Sequence, residues 1–270
     1  MPLVTPMPEK MPVLFIGHGS PLNVVLDNDF TRSLAAWGRR LPRPEAILVI
    51  SAHWLTSGTF VATAETPGTI HDFYGFPAEL YAVTYPAPGA PTLAAAVAGL
   101  VTATAVAADP ERGLDHGAWS VLRHLFPAAD IPVCELSLDY TFGDRHPRPL
   151  RFHYDLACQL AGLRRQGVLI IGSGNIVHNL SLIDWDMDAA PFAWAVEMDE
   201  RMKASLLAGS HAELLHYETM GASASLGIPT LDHYLPLIYA IALQEEGEPL
   251  TFLHEGIQNG SIAMRSFQIG

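Results

Sequence analysis

Histidine dominates the chemistry open to this chain, and its placement along the sequence is uneven. Of 12 histidines, His18, His53 and His178 follow closely on short apolar runs rich in β-branched residues. Residues 13–16 (VLFI) lead into Gly17-His18-Gly19-Ser20-Pro21, and residues 47–50 (ILVI) into Ser51-Ala52-His53-Trp54. Residues 168–171 (VLII) lead into Gly172-Ser173-Gly174-Asn175, with His178 following within one turn. Runs of that length and composition read as buried strands. In an open α/β sheet the loops at the carboxyl ends of the strands diverge and form the ligand crevice. Imidazoles delivered there could hold one divalent metal, since their nitrogens suit zinc, iron, copper and nickel. Each has a plainer reading alone: His18 as a turn residue, His53 as a half-buried ring against Trp54, His178 as the cap of a helix starting near Asn175. Their shared arrival at one sheet edge favours the metal. His124, His146, His153, His211, His216 and His254 lack such placement and read as surface or helix-face residues. His71 is intermediate, on an aromatic stretch that could cover the site.

The elements that must position these side chains follow from periodicity. Further strands are expected at 131–138, 251–254 and 262–267, and helices at 91–107, 150–163, 191–207 and 232–243. Within 150–163 the apolar positions Leu150, Tyr154, Ala157 and Leu160 have helical spacing, and Gly167 stands just beyond as a stop. Alternation of strand and helix predicts one α/β domain over 1–270, with a central, mostly parallel sheet, helices on both faces and the metal at the strands' C-terminal edge. Residues 65–91 concentrate Gly, Pro and aromatics (HDFYGFPAELYAVTYPAPG at 71–89), and a loop that long in a compact domain is usually functional.

Composition narrows the function. A chain of 270 residues that is 49% hydrophobic can bury a large core. Its net charge of −13 and lack of any Lys/Arg cluster argue against a nucleic-acid partner. The longest clean apolar run, 235–243, is interrupted by Pro236 and is too short to span a bilayer, so no membrane partner is expected. The Pro-rich residues 1–12 have no signal-peptide core, which predicts a cytoplasmic protein. Cys134 and Cys158 lack CxxC spacing and are expected as buried thiols. Gly172-Ser173-Gly174 lacks the third glycine of a dinucleotide loop, position 177 being Val, and no GxSxG, P-loop or HExxH occurs.

An ordered set of motifs then points to a family. GHGSP at 17–21, SAHW at 51–54, DFYGFP at 72–77, YPAPG at 85–89, DHGAW at 115–119, GSGNIVHNL at 172–180, PTLDHYLP at 229–236 and GSIAMRSF at 260–267 span essentially the whole chain. Together they resemble the DOPA-dioxygenase-like branch of the class III extradiol ring-cleavage dioxygenases, relatives of protocatechuate 4,5-dioxygenase. The resemblance implies a single α/β domain with a metal at its edge. It places His18 and His53 at the two N-terminal metal-binding positions. It places His233 where the protocatechuate enzymes carry a glutamate, His178 at the catalytic base (or a further ligand), and His116 at a second active-site histidine near substrate and dioxygen.

The implied chemistry explains the residue types. A catechol chelating through two adjacent oxygens needs open coordination positions, and loss of a hydroxyl proton calls for a base that titrates near neutrality. The expected substrates are a small catechol such as DOPA, cleaved at its 4,5 bond, and dioxygen. The cofactor is one divalent metal, Fe(II) for turnover, with Zn(II) in protein purified in air. Three neutral histidines also resemble a catalytic zinc site, so a zinc hydrolase is the alternative enzyme. A non-catalytic binding protein like the Memo proteins, which share the fold, is the other alternative. The sequence leaves the oligomeric state open.

Overall fold

The four parallel strands of the central sheet have hardly a solvent-exposed residue, and their sequences show it. In this computed structural model, which describes residues 10–140 and 148–270, they are β1 (Val13–Gly17, VLFIG), β2 (Ala46–Ser51, AILVIS), β3 (Val133–Glu135) and β4 (Val168–Gly174, VLIIGSG). Strands buried on both faces need no polar alternation and read as continuous apolar runs. With β5 (Leu250–His254) and β6 (Ser266–Ile269) they form a six-stranded sheet in the order β3-β2-β4-β1-β6-β5. The pairs from β3 to β1 are parallel, and β6 and β5 join antiparallel at one edge. The fold is therefore α/β around a mixed sheet whose larger part is parallel, flanked by helices.

Side chains alternate between the faces as the strand period requires. Val13, Phe15, Leu48, Ile50 and Ile170 enter one core, where α2 (Pro91–Leu100), α4 (Leu150–Cys158), α5 (Ala193–Leu207) and α6 (Leu235–Ala242) cover them. Leu14, Ile16, Ile47, Val49, Leu169 and Ile171 enter the other, beneath α1 (Asp29–Gly38) and α3 (His116–Leu125). The helix starts are capped by short polar side chains. Asn28 and Thr31 form a reciprocal capping box on α1, and the Asp115 carboxylate accepts the Ala118 N–H on α3.

Several boundaries differ from the sequence expectation, each for a local reason. The helix expected over 91–107 stops at Leu100, where Val101 turns extended, and Val106–Asp109 pairs in parallel with Thr59–Ala62. The β-branched Val101, Thr102, Thr104 and Val106 favour that change. The strand over 131–138 breaks after Glu135, and Leu138–Asp139 pairs instead with Leu55–Thr56. The run 262–267 divides into Ile262–Ala263 and Ser266–Ile269. The helix over 150–163 ends at Cys158 and continues as a 3-10 turn, Ala161–Gln166, closed by Gly167 at φ 79°. Residues 175–179 are not helical, so His178 caps no helix. Instead it pairs across an isolated bridge with Ile262.

Cys134 is buried as expected, but Cys158 faces outward at the end of α4. His216 is exposed, while His124, His211 and His254 are half-buried and hydrogen-bonded. The His146 reading lies outside the described residues, as does most of the leader. Among the described residues no helix is long and apolar enough to cross a membrane.

His153 departs furthest from a surface reading. It is fully buried on α4, its Nδ1 3.1 Å from the Tyr239 hydroxyl and its Nε2 without a partner. Burial pushes its pKa down to about 4, below the ~6.5 of an unfolded chain. The unfolded state then takes up the proton first. Stability should therefore fall as pH drops from about 6.5 to about 4, by on the order of 3 kcal/mol for this group. His153→Gln cannot titrate, so the urea midpoint of metal-free protein should lose less between pH 7 and pH 4.5 than in the parent. Equal losses in parent and variant would show that His153 is not part of the acid response.

Candidate metal centre

Strand register brings the carboxyl ends of β1, β2 and β4 level. Gly17 pairs with Gly174, and Ser51 with Ser173. His18 leaves β1 one residue later and His53 leaves β2 two residues later, so both rings enter the same crevice. His233 arrives from a distant turn before α6. Its carbonyl accepts the Asn175 N–H at 2.9 Å and lies against Gly174, where a Cβ would come within 2.2 Å of that oxygen. Only glycine allows that approach. The ring centroids of His18, His53 and His233 are 5.0–5.3 Å apart, and one nitrogen from each lies within 4.8 Å of the others.

The hydrogen bonds behind these rings decide which nitrogen faces inward. Ser173 Oγ donates to the Gly117 carbonyl at 2.6 Å, so toward His18 Nδ1, 3.0 Å away, it can only accept. His18 therefore carries its proton on Nδ1. His233 Nδ1 donates to Asp232 Oδ2 at 2.5 Å, and His53 Nδ1 lies 3.4 Å from Asp72 Oδ2. In His18 and His233 this leaves Nε2 its lone pair, and the carboxylate facing His53 Nδ1, though outside hydrogen-bond geometry, favours the same tautomer. The Nε2 atoms of His18 and His53 stand 3.1 Å apart. A metal about 2.0–2.1 Å from each of two nitrogens would hold them about 3 Å apart. Burial, reinforced by the neighbouring histidines, pushes the pKa values of His18 and His53 well down. Both rings are thus neutral, the form a metal requires. Donor type, tautomer and spacing all fit one divalent ion.

Two more histidines border this group. The His178 ring stacks on His233 with centroids 3.6 Å apart and planes within 8°. Burial and His233 push its pKa well below the usual value, so it is unprotonated. His116, at the start of α3, packs 3.9 Å from His53 between ring centroids. Its backbone N–H donates to Asp72 Oδ1 at 2.9 Å. Its Nδ1 is 3.0 Å from the same oxygen but outside hydrogen-bond geometry, which leaves that buried atom without a directed partner.

The strand ends bring His18, His53 and His178 to one sheet edge and the family resemblance adds His116 and His233; the structure gathers all five rings. The carboxylates behind them are not evident from the sequence. Burial alone would raise the pKa values of Asp72 and Asp232, but His116 and its backbone N–H beside Asp72, and the His233 ring beside Asp232, outweigh it and hold both carboxyls below their usual range. Adjacency to His233 and a place in the DFYGFP motif were the available signals. A buried network beneath the site also went unseen. Ser51 Oγ accepts the His53 N–H and donates to Asp115 Oδ1 at 2.6 Å. Arg112 pairs with both Asp115 and Glu135. Burial pushes the Glu135 pKa well up.

The aromatic stretch supplies less of a wall than expected. Phe73 meets the His116 ring at 5.6 Å and packs on Phe76, whereas Tyr74 is 92% exposed and turned away. His71 lies behind Phe73, its Nε2 donating to the Val83 carbonyl at 2.9 Å.

Residues 12–263 match the model of the catalytic LigB subunit of aromatic ring-opening dioxygenase. The chain belongs to the LigB family, the class III extradiol ring-cleavage dioxygenases. Among proteins of this family, it is 45% identical to a 4,5-DOPA dioxygenase extradiol of Escherichia coli K12, covering 97% of this chain and 95% of that one. It is 37% identical to a protein of the same name from Beta vulgaris, over 94% of each. A crystal structure of an uncharacterized E. coli K12 protein superposes with a TM-score of 0.83 at 41% identity, covering 96% of this chain and all of the other.

The converging Nε2 atoms lead to an expected result. Replacing His18, His53 or His233 by Ala should each lower bound metal well below one equivalent while far-UV circular dichroism stays native. Stoichiometric metal in all three variants, measured by plasma emission, would rule this ligand set out.

Proposed function

We propose that this LigB-family enzyme opens the ring of a DOPA-like catechol at the 4,5 bond with dioxygen, using Fe(II) held by His18, His53 and His233. The observation that carries the reading is the convergence of neutral Nε2 atoms at 3.1 Å, on a chain with 45% identity to a 4,5-DOPA dioxygenase. Fe(II), when bound, supplies the electron exchange with dioxygen that redox-inert Zn(II) cannot. Zn(II) outranks Fe(II) in affinity for neutral imidazoles, so protein purified in air should carry zinc.

The chain's own contribution is orientation and proton handling. His178 is unprotonated and parallel to a ligand ring, so it can take the proton a catechol hydroxyl loses on binding. His116 is 5% exposed beside His53, and serves as the second proton-handling group. Phe73 closes the side next to His116 with an apolar edge, which suits a flat ring and keeps water away. A soluble cytoplasmic setting, with a small aromatic substrate and no nucleic-acid or membrane partner, fits this chemistry.

Loading Fe(II) anaerobically, adding a panel of catechols that includes DOPA, and then admitting oxygen tests the reading. Oxygen uptake with a yellow ring-opened product is expected from the iron form, and catechol binding without turnover from the zinc form. Iron protein inert toward every catechol would overturn it, and metal-dependent ester or amide hydrolysis would put a zinc hydrolase in its place.

His178→Ala should lower turnover by roughly 10²–10⁴-fold, the usual worth of a general base, with far less metal loss than His53→Ala. Equal metal loss in the two variants would make His178 a ligand and leave the base unassigned.

A further inference from the structure

We propose that Asp72 and Asp232 are positioning residues that supply, from just outside the imidazoles, the negative charge that a site of three neutral ligands lacks. The inference rests on the metal reading above. A site with a glutamate ligand brings its carboxylate charge into direct contact with the ion. Here His233 occupies that place, and the carboxylates stand behind the rings, Asp232 hydrogen-bonded to His233 Nδ1 and Asp72 facing His53 Nδ1 at 3.4 Å.

The two come from unrelated parts of the chain. Asp232 precedes His233 directly, and the turn between Thr230 and Tyr234 folds its Oδ2 onto His233 Nδ1 at 2.5 Å. Asp72 belongs to the aromatic stretch. One of its oxygens lies 3.4 Å from His53 Nδ1, and the other accepts the His116 N–H at 2.9 Å. His18, by contrast, leans on the neutral Ser173 hydroxyl. So of the inward-facing rings, those of His53 and His233 have a carboxylate behind Nδ1 and the one on β1 does not. A carboxylate across Nδ1–H holds the tautomer, fixes the ring plane and makes Nε2 a stronger donor. Two such carboxylates balance the charge of a divalent ion without either one binding to it.

Asp72 does a second job through the same contacts. Its neighbour Phe73 packs on His116, so the carboxylate that orients His53 also pins the aromatic stretch against the site.

Metal affinity tests this directly. Full-length protein stripped by chelation is titrated with Zn(II) against a chromophoric chelator, and with Co(II), whose visible absorption reports the ligand field. Asp72→Asn and Asp232→Asn keep shape and an acceptor oxygen but remove charge. Each should weaken Zn(II) binding about 10-fold, and the Ala variants up to about 100-fold, with a shifted Co(II) band and native far-UV dichroism. Asp27→Asn, on an exposed carboxylate, should change neither, which separates local charge from the overall charge of −13. If an Ala variant unfolds, the Asn pair decides. Parent-like affinity and spectrum in both Asn variants would overturn the proposal while leaving the ligands intact. If the parent and His53→Ala bind metal equally, the metal reading itself fails.

Discussion

An imidazole can offer a lone pair to a metal only if its proton sits on the other nitrogen, and that proton needs an acceptor. This polarity requirement organises the whole edge of the sheet. His18 meets it through Ser173, which can accept only because its own proton goes to the Gly117 carbonyl. Strand β4 and helix α3 are therefore both engaged in orienting one ring on β1. His233 meets the requirement within its own turn, and His53 turns its Nδ1 toward the Asp72 carboxylate of the aromatic stretch, 3.4 Å away. Each inward-facing nitrogen thus implies a structured layer behind it.

That layer must be close, and close approach is why glycines stand where they do. A Cβ on Gly117 would come within 2.4 Å of Ser51 Oγ and 3.0 Å of the His53 ring. One on Gly172 would come within 2.3 Å of the Pro236 carbonyl. Helix α3 and the first turn of α6 are in this way seated directly on the strands. The short strand Ile262–Ala263, just before β6, adds to this: the Ala263 carbonyl accepts from Asn175, and Ile262 bridges His178. Residues at both ends of the chain thereby meet at one crevice.

How much of this could be read in the sequence follows from distance along the chain. His18 and His53 were visible because a strand end is a local event: an apolar run, then a small polar turn, then the ring. The buried strands were visible for the same reason. His233 has no strand before it, and its place became apparent only through resemblance to a family. The helix that stopped at Leu100 failed because a strand pairing with Thr59–Ala62 outcompeted an alanine-rich stretch, and such pairing is not written locally. Asp72, Asp115 and Glu135 looked like ordinary acidic residues among 28. Their importance lies in what they face, which no spacing rule reports.

The buried charges under the site show what kind of stabilisation is at work. Arg112 pairs with Asp115 and Glu135 and stacks over Trp54 at 4.8 Å. Desolvating such a group costs about as much as its pairing returns, so its net contribution to stability is small. It does, however, hold Trp54 next to His53, and Asp115 next to His116, in a single arrangement. Apolar packing of equal volume could fill that space but could not aim Ser51 at the His53 backbone. The network is best understood as a spacer that fixes the distance between β2 and the start of α3. Asp72 then completes the spacing from the solvent side, touching both His53 and His116. A wall for the aromatic ring can be built on residues 73–76 only so long as this carboxylate keeps the wall and the metal-facing ring in register.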